Sequence, residues 1–175
     1  LSRLIGNLGL SFASKLSSGY WKNFDPTNGF TAIHARVAKI LPLDRIDKSY
    51  FFESDMLYQL NVTRAVVADV PMEAVYGEET SSLKVSRVLL PFSIKHARNF
   101  LKRIFYTYFL SDFNIATLEL VIGLLMSGFG LIFGLVKWHE SITSGNPAAT
   151  GVIILAALPL LIGSYLLISF LNFDV

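Results

Sequence analysis

The stretch IATLELVIGLLMSGFGLIFGLV, residues 115–136, determines more of the fold than any other part of this 175-residue chain. Its only charged residue is Glu119, and a second apolar run, residues 148–173, contains no charge at all. A helix needs about 20 apolar residues to cross a hydrocarbon core of roughly 30 Å, and both runs exceed that length. We therefore predict a hairpin of two membrane-spanning helices over residues 114–175.

Composition supports a membrane protein and excludes several other classes. A mean hydropathy of +0.52 and a hydrophobic content of 53% are too high for an ordinary soluble domain. Neither run is a signal peptide, because both lie towards the C-terminus. The absence of cysteine excludes disulfides and thiolate metal sites, and a net charge of +2 does not indicate a nucleic-acid partner. Because the chain begins with Leu1 rather than Met, we expect a fragment or a processed piece.

Charge around the hairpin predicts its orientation. Four Lys and Arg residues lie within residues 95–103, whereas the polar loop that we predict over residues 137–147 contains only Lys137. Positive residues favour the cytoplasmic side of a span. We therefore expect an integral protein of the cell (inner) membrane, with the soluble part and both termini in the cytoplasm and with Trp138 at the outer interface.

Gly130 and Gly134 form a GxxxG pair within the first span. Such a pair lets two helices approach closely. The partner helix is either the second span of the same chain or the same span of a second copy, so a homo-oligomer is one of the expected assemblies.

Residues 86–113 have the pattern of an amphipathic helix beside a membrane. Basic and apolar side chains repeat at helical spacing on two different sides, and the two sets are Lys95, Arg98, Lys102 and Arg103, and Leu101, Ile104, Phe105 and Tyr108. A basic, aromatic helix next to a span is typical of an interfacial helix among lipid headgroups. The alternative is a surface helix packed against the soluble domain.

Residues 1–85 show a mixed α/β pattern. We predict helices over residues 1–16, 34–41 and 53–62, the first with a stripe at Leu4, Leu8, Phe12 and Leu16 and the last burying Met56, Leu57 and Leu60. Short strands are predicted over residues 30–33 and 65–70, the second of which ends at Pro71. Two strands are too few for a complete sheet, so the remaining strands are expected from outside this chain.

Two motifs carry a resemblance to a known family. They are Phe24-Asp25-Pro26-Thr27-Asn28-Gly29-Phe30 and Tyr50-Phe51-Phe52-Glu53-Ser54-Asp55-Met56-Leu57. Together with the two spans, they resemble the acceptor half of membrane-bound family-2 glycosyltransferases, which load a sugar onto polyprenyl or dolichyl phosphate. The resemblance extends over the whole chain. It implies that residues 1–85 are the C-terminal, acceptor-side part of a Rossmann-like GT-A domain.

The resemblance also implies catalytic residues. Asp25 corresponds to an aspartate near the acceptor phosphate and the reacting carbon of the sugar, where it would orient the acceptor or stabilise oxocarbenium charge. The alternative role for Asp25 is a cap of its own tight turn. Glu53 corresponds to a residue that lines the active site, whereas Asp55 is expected to stabilise a helix N-terminus.

Further residues are implied as contacts of the acceptor phosphate. They are Arg3, Lys15, Asn28, Ser82 and Lys84. Residues 76–84 resemble a loop that closes over the site, but residues 72–75 lack the arginine that precedes it in dolichyl-phosphate mannose synthases, so a mannose donor does not follow. The three histidines, His34, His96 and His139, have no metal-ligand spacing and are expected to be structural.

The predicted function is transfer of a hexose from a nucleotide sugar to polyprenyl or dolichyl phosphate at the cytoplasmic face. Mg²⁺ or Mn²⁺ is implied by the family, with its Asp-x-Asp ligands in a nucleotide-sugar half that this chain lacks, so the chain alone is expected to be inactive. The alternative is a non-catalytic membrane anchor or partner subunit for a separate catalytic chain. A small transporter is disfavoured, because the two spans contain almost no polar groups.

Overall fold

The computed structural model describes residues 2–23, 30–71 and 85–175, and for residues 2–7 and 85–89 it describes the backbone alone. Two compact units are present, Leu1–Thr107 and Tyr108–Val175. In chain order the elements are α1 (Ser2–Ser18), α2 (Ala35–Ile40), a 3₁₀ turn (Leu43–Arg45), α3 (Phe52–Val62), α4 (Val85–Phe105), a π-helix (Tyr106–Ser111), α5 (Ile115–Ser144) and α6 (Thr150–Asp174).

The predicted α/β class is wrong. In the part of the chain that the structure describes, every regular element is a helix and no residue pairs in a sheet. Residues 30–33 and 65–70, predicted as strands, have no regular secondary structure, and Val66 is 95% exposed. A strand is stable only with a neighbour that completes its backbone hydrogen bonds, and side-chain alternation cannot replace that neighbour. The described residues therefore do not form a Rossmann-like domain.

Two of the predicted helices in the first unit are confirmed. In α2, the first backbone amides are capped by the His34 side chain, which accepts a hydrogen bond from the Arg36 amide at 3.2 Å. Helix α3 buries Met56, Leu57 and Leu60 as predicted, in a small apolar cluster with Leu41 and Ile46. Burial of these side chains holds α3 against the segment that follows α2.

Helix α1 forms as predicted, but the side that carries the apolar stripe is exposed and a polar side is buried. Leu8 and Phe12, from the predicted apolar stripe, are 74% and 57% exposed. The buried side of α1 consists instead of Ser14, Ser17 and Ser18. Serine side chains are small, so they allow α4 and α3 to approach α1 closely while their hydroxyls need hydrogen-bond partners. Those partners define the site described below.

The second unit is a helical hairpin. Asn114 begins α5 through a capping box with Thr117, and Gly145 ends it in the left-handed conformation at φ 68°. Residues 137–144, predicted as loop, continue α5, so the connection to α6 is only residues 145–149. Both helices are long and apolar enough to cross a membrane, and little of their most apolar segments is buried. These features agree with the predicted spans and indicate membrane association.

Glycines bring α5 and α6 into contact. A Cβ atom added to Gly130 would lie 2.7 Å from the Leu160 amide nitrogen and 2.8 Å from the Ala156 carbonyl oxygen. A Cβ atom added to Gly163 would lie 2.8 Å from the Gly123 carbonyl oxygen. Backbone atoms cannot move aside as side chains can, so only glycine fits at these positions. Two partners were expected for the GxxxG pair. Gly130 packs against α6 of the same chain.

Replacement of Gly130 by Ala should therefore weaken the hairpin, by about 1–2 kcal/mol, because its methyl group overpacks the α6 backbone. Gly128→Ala is the matched control, since a Cβ there meets nothing within 4 Å. The midpoint of unfolding by dodecyl sulfate in mixed micelles measures the effect. Equal midpoints for the two variants would contradict this account of the α5–α6 contact.

Polar contacts close the end of the hairpin away from its loop. The Ser169 hydroxyl donates to Glu119 Oε1 at 2.9 Å, and the Tyr108 hydroxyl donates to Asp174 Oδ1 at 2.9 Å. The Tyr108 ring is buried against Phe170, with 5.0 Å between the ring centroids. Tyr108 therefore does not belong to an exposed apolar face, as the helical spacing had indicated. Glu119 therefore has a hydrogen-bond partner in α6.

Candidate functional site

A buried polar network lies where α1, α3 and α4 meet. We define it by its side chains, which are Ser14, Ser17, Ser54, Asp55, His96, Asn99 and Arg103; all are buried. Polar groups inside a protein must be hydrogen-bonded to offset the loss of water, so each contact in this network constrains the three helices.

Asp55 joins three parts of the first unit. Its Oδ2 accepts a hydrogen bond from the Asp47 amide at 2.8 Å, and its Oδ1 accepts one from Asn99 Nδ2 at 2.8 Å. The first bond fixes the turn before α3, and the second fixes α4. Both carboxylate oxygens of Asp55 are thus committed to the fold, in agreement with its predicted structural role.

An ion pair reinforces the same junction from the surface. Lys95 Nζ donates to Asp47 Oδ2 and also lies over the Phe51 ring, 5.4 Å from its centroid. The hydrogen bonds from Lys95 and Ser49 lower the pKa of Asp47 to about 2. The sequence pattern placed Lys95 among the cations at the membrane. In the structure its ammonium group is paired with Asp47 instead.

Ser17 and His96 form a close pair across α1 and α4. Ser17 Oγ lies 2.8 Å from His96 Nδ1, and Ser17 Oγ also donates to the Ser14 carbonyl oxygen at 3.1 Å. A serine beside a histidine is an arrangement that nucleophilic enzymes use. Here, however, Ser17 and His96 are only 1% and 5% exposed, so no substrate reaches them. The pair holds α1 to α4, which supports the structural role expected for His96.

Protonation of His96 should loosen the first unit. Burial lowers the pKa of His96 to about 4, and its Nε2 makes no hydrogen bond within the described part of the chain. The stabilising effect of neutral His96 is complete above the unfolded pKa of about 6.5 and disappears as the pH falls towards 4, a loss of about 3 kcal/mol.

The pH dependence of stability is measured by the fluorescence of Trp21 in a Trp138→Phe background, because no other tryptophan remains. The unfolding midpoint should fall more steeply between pH 7 and pH 4 in this protein than in the same protein with His96→Gln. His34→Gln, at an exposed histidine, is the matched control and should keep the steep dependence. The same slope with and without His96 would contradict the prediction.

Two further contacts complete the network. Arg103 Nη2 donates to the Leu16 carbonyl oxygen at 3.0 Å, which places a buried cation at the C-terminal end of α1. A positive charge is favourable there because the end of a helix carries unpaired carbonyl groups. Ser14 and Ser54 hydroxyls lie 3.2 Å apart and join α1 to α3.

The structure locates two of the seven predicted site residues. Glu53 lies in the first turn of α3, and Lys15 in the last turn of α1; both side chains are half-buried. Arg3 belongs to α1 by its backbone, but its side chain is outside the described part of the chain. The remaining predicted residues, which are Asp25, Asn28, Ser82 and Lys84, lie outside the described residues.

Glu53 differs from its neighbour Asp55 in having no hydrogen-bond or ion-pair partner in the described part of the chain. Among the described residues, no hydrogen bond or ion pair reaches the Glu53 carboxylate. The contact between Ser14 and Ser54 brings α1 and α3 together next to Lys15 and Glu53 in sequence. Glu53 and Lys15, two residues of intermediate exposure, thus lie on two helices in contact, and within the described part of the chain no hydrogen bond or ion pair holds either side chain.

The described residues do not assemble a metal site. No three His, Asp or Glu side chains among them lie close enough together to hold an ion. The ligands of the Mg²⁺ or Mn²⁺ that the family resemblance implies were expected outside this chain.

Sequence reasoning missed the polar face on which the site depends. Ser14 and Ser17 are spaced for one side of α1, and His96, Asn99 and Arg103 for one side of α4. Polar residues at helical spacing opposite an apolar stripe usually face water, so their spacing alone does not indicate burial. Only the contact between the two polar faces shows that they are the interior.

Comparison of this chain with protein-family models, with curated proteins and with solved structures returned no match.

Proposed function

We propose that this chain is the acceptor-side, membrane-anchored part of a glycosyltransferase that transfers a hexose from a nucleotide sugar to polyprenyl or dolichyl phosphate. The observation that carries the proposal is the contrast between two carboxylates on one helix turn. Both carboxylate oxygens of Asp55 accept hydrogen bonds from the first unit, whereas Glu53 is half-buried and makes no hydrogen bond or ion pair among the described residues. A carboxylate that the described fold does not bind is available to a ligand, and Glu53 is the one that matches an active-site residue in the family that the chain resembles.

The chemistry requires little from the protein beyond positioning and charge. A lipid phosphate is ionised at neutral pH, so its oxygen attacks the anomeric carbon without a strong base. The new bond joins that carbon to the phosphate oxygen, and the bond to the nucleoside diphosphate breaks. Glu53, with Asp25, would stabilise the positive charge that develops on the sugar, and Lys15 would bind the acceptor phosphate.

The membrane spans support the same proposal. A polyprenyl chain is confined to the bilayer, so an enzyme that uses it benefits from an anchor such as the α5–α6 hairpin. The excess of Lys and Arg in residues 95–103 over residues 137–147 favours a cytoplasmic site in the cell membrane. Nucleotide sugars are supplied on that side.

Transfer of radiolabelled sugar from a panel of nucleotide sugars to polyprenyl phosphate tests the proposal. Membranes would contain either this chain alone or the longest reading frame that encodes it. Label in the lipid fraction with the longer product alone is the expected result, and it identifies the donor. Absence of transfer from both, with polyprenyl phosphate still bound, would overturn the enzyme proposal and favour the anchoring subunit.

A further inference from the structure

Helix α4 is packed with its polar side inward. The side chains of His96, Asn99 and Arg103 lie on its buried side, where they contact α1 and α3. In a protein surrounded only by water the opposite arrangement is expected, because apolar side chains gain most from burial. The inward orientation of the polar side of α4 therefore indicates that its apolar side has a partner other than water.

The outer side of α4 carries a row of exposed apolar side chains. Four large side chains are 70%, 61%, 65% and 56% exposed, and in that order they are Leu90, Ile94, Leu101 and Phe105. At about 100° per residue they fall within roughly 60° of one another around the helix axis. We call these four residues the outer stripe. A row of this length covers four turns of helix and is larger than the isolated apolar residues found on most soluble surfaces.

Two cations border the outer stripe on one side. Arg98 and Lys102 are both exposed and are one helical turn apart. Of the other cations on this helix, Lys95 is paired with Asp47, Arg103 is buried, and the side chain of Arg87 is outside the described part of the chain. An exposed apolar row with basic residues along its edge matches the boundary between acyl chains and anionic headgroups.

We propose that α4 docks on the surface of an anionic bilayer through the outer stripe, with Arg98 and Lys102 in contact with the lipid phosphates. The position of α4 in the chain favours this occupant, because α4 ends at Phe105 and the first span begins at Ile115. Two of the four apolar residues that the sequence pattern selected, Leu101 and Phe105, belong to the outer stripe. Ile104, assigned to that side by spacing, is buried.

Docking of α4 also fixes α3 relative to the lipid. Asn99 holds Asp55, and Lys95 holds Asp47, so the turn that begins α3 is attached to the inner side of α4. The proposal does not depend on sugar transfer. If transfer occurs, this attachment sets the distance of Glu53 from the headgroups, on the water side of α4.

Spin labels on single cysteines test the docking, and the cysteine-free chain makes each label unique. Ile94→Cys and Leu101→Cys place labels on the outer stripe, and Lys39→Cys places one on an exposed site of α2. The full chain would be reconstituted in phosphatidylcholine vesicles with or without phosphatidylglycerol. In the mixed vesicles, labels at 94 and 101 should collide with oxygen, which dissolves in lipid, and the label at 39 with an aqueous nickel chelate.

Removal of the two cations tests the role of charge. Arg98→Gln with Lys102→Gln should lower the ratio of docked to undocked helix by roughly 30-fold in the mixed vesicles, because each basic residue contributes about a factor of five at an anionic surface. Arg36→Gln with Lys39→Gln removes the same charge from α2 and is the matched control. Its docking should not change.

Three results would overturn the proposal. The first is equal access of the nickel chelate to positions 94, 101 and 39. The second is shielding of positions 94 and 101 from both reagents, which would show that protein covers the outer stripe. The third is immersion that is the same with and without Arg98 and Lys102, which would remove the headgroup contacts from the proposal.

Discussion

Replacement of Glu53 by Gln is expected to lower sugar transfer to polyprenyl phosphate by at least about 100-fold, without loss of stability. The magnitude follows from the removal of one charge that stabilises a transition state. Stability should be unaffected, because in the described residues the Glu53 carboxylate makes no hydrogen bond or ion pair. The measurement is turnover in membranes that contain the longest reading frame, together with the unfolding midpoint of the purified protein.

Asp44→Asn is the matched control for this experiment, because Asp44 is an exposed carboxylate on the neighbouring 3₁₀ turn. It should leave turnover and midpoint unchanged. Normal turnover in the Glu53→Gln protein would show that this carboxylate is not at the reaction site. A lowered midpoint would show that Glu53 has a structural role instead.

The opposite outcome is expected two residues later. Asp55→Ala should destabilise the first unit by about 3 kcal/mol, since the Asp47 amide and the Asn99 side chain would each lose a partner in a buried position. That is a large part of the 5–15 kcal/mol that stabilises a typical domain. Unfolding in urea, followed by Trp21 fluorescence in a Trp138→Phe background, measures the loss.

Asp55→Asn removes one of the two acceptor oxygens and keeps the other. The amide retains one acceptor oxygen, so the loss should be smaller than for Asp55→Ala. If the Asp55→Ala protein is as stable as the unchanged protein, the network does not hold α3 and α4 together. The contrast with Glu53→Gln then distinguishes a carboxylate that serves the fold from one that the fold leaves free.

Local signals in the sequence were sufficient for the individual helices. The spacing of Met56, Leu57 and Leu60 predicted both α3 and its buried side, and the unbroken apolar runs predicted α5 and α6. Gly145 and Pro147 marked the connection, but α5 continued further than predicted, through residues 137–144 up to the cap at Gly145. Helix ends are set by capping groups such as Gly145 more than by hydropathy.

The candidate site was predicted only in part, for a physical reason. Glu53 and Lys15 were selected from a family resemblance, and the structure adds that both are half-buried and that their helices are in contact. The network beside them could not be predicted, because its hydrogen bonds join residues far apart in the chain. Ser17 and His96 are 79 positions apart, and Asp55 and Asn99 are 44 apart.

The sequence by itself determined a hairpin of two helices long and apolar enough to cross a membrane, after a more polar part, because the length and polarity of a segment are local properties. It could not determine whether residues 65–70 form a strand, since a strand requires a partner that is close only in space. Tertiary structure alone decided which sides of α1 and α4 face inward. Periodicity divides a helix into a polar and an apolar side, but burial follows from what each side contacts, and here the polar sides contact each other.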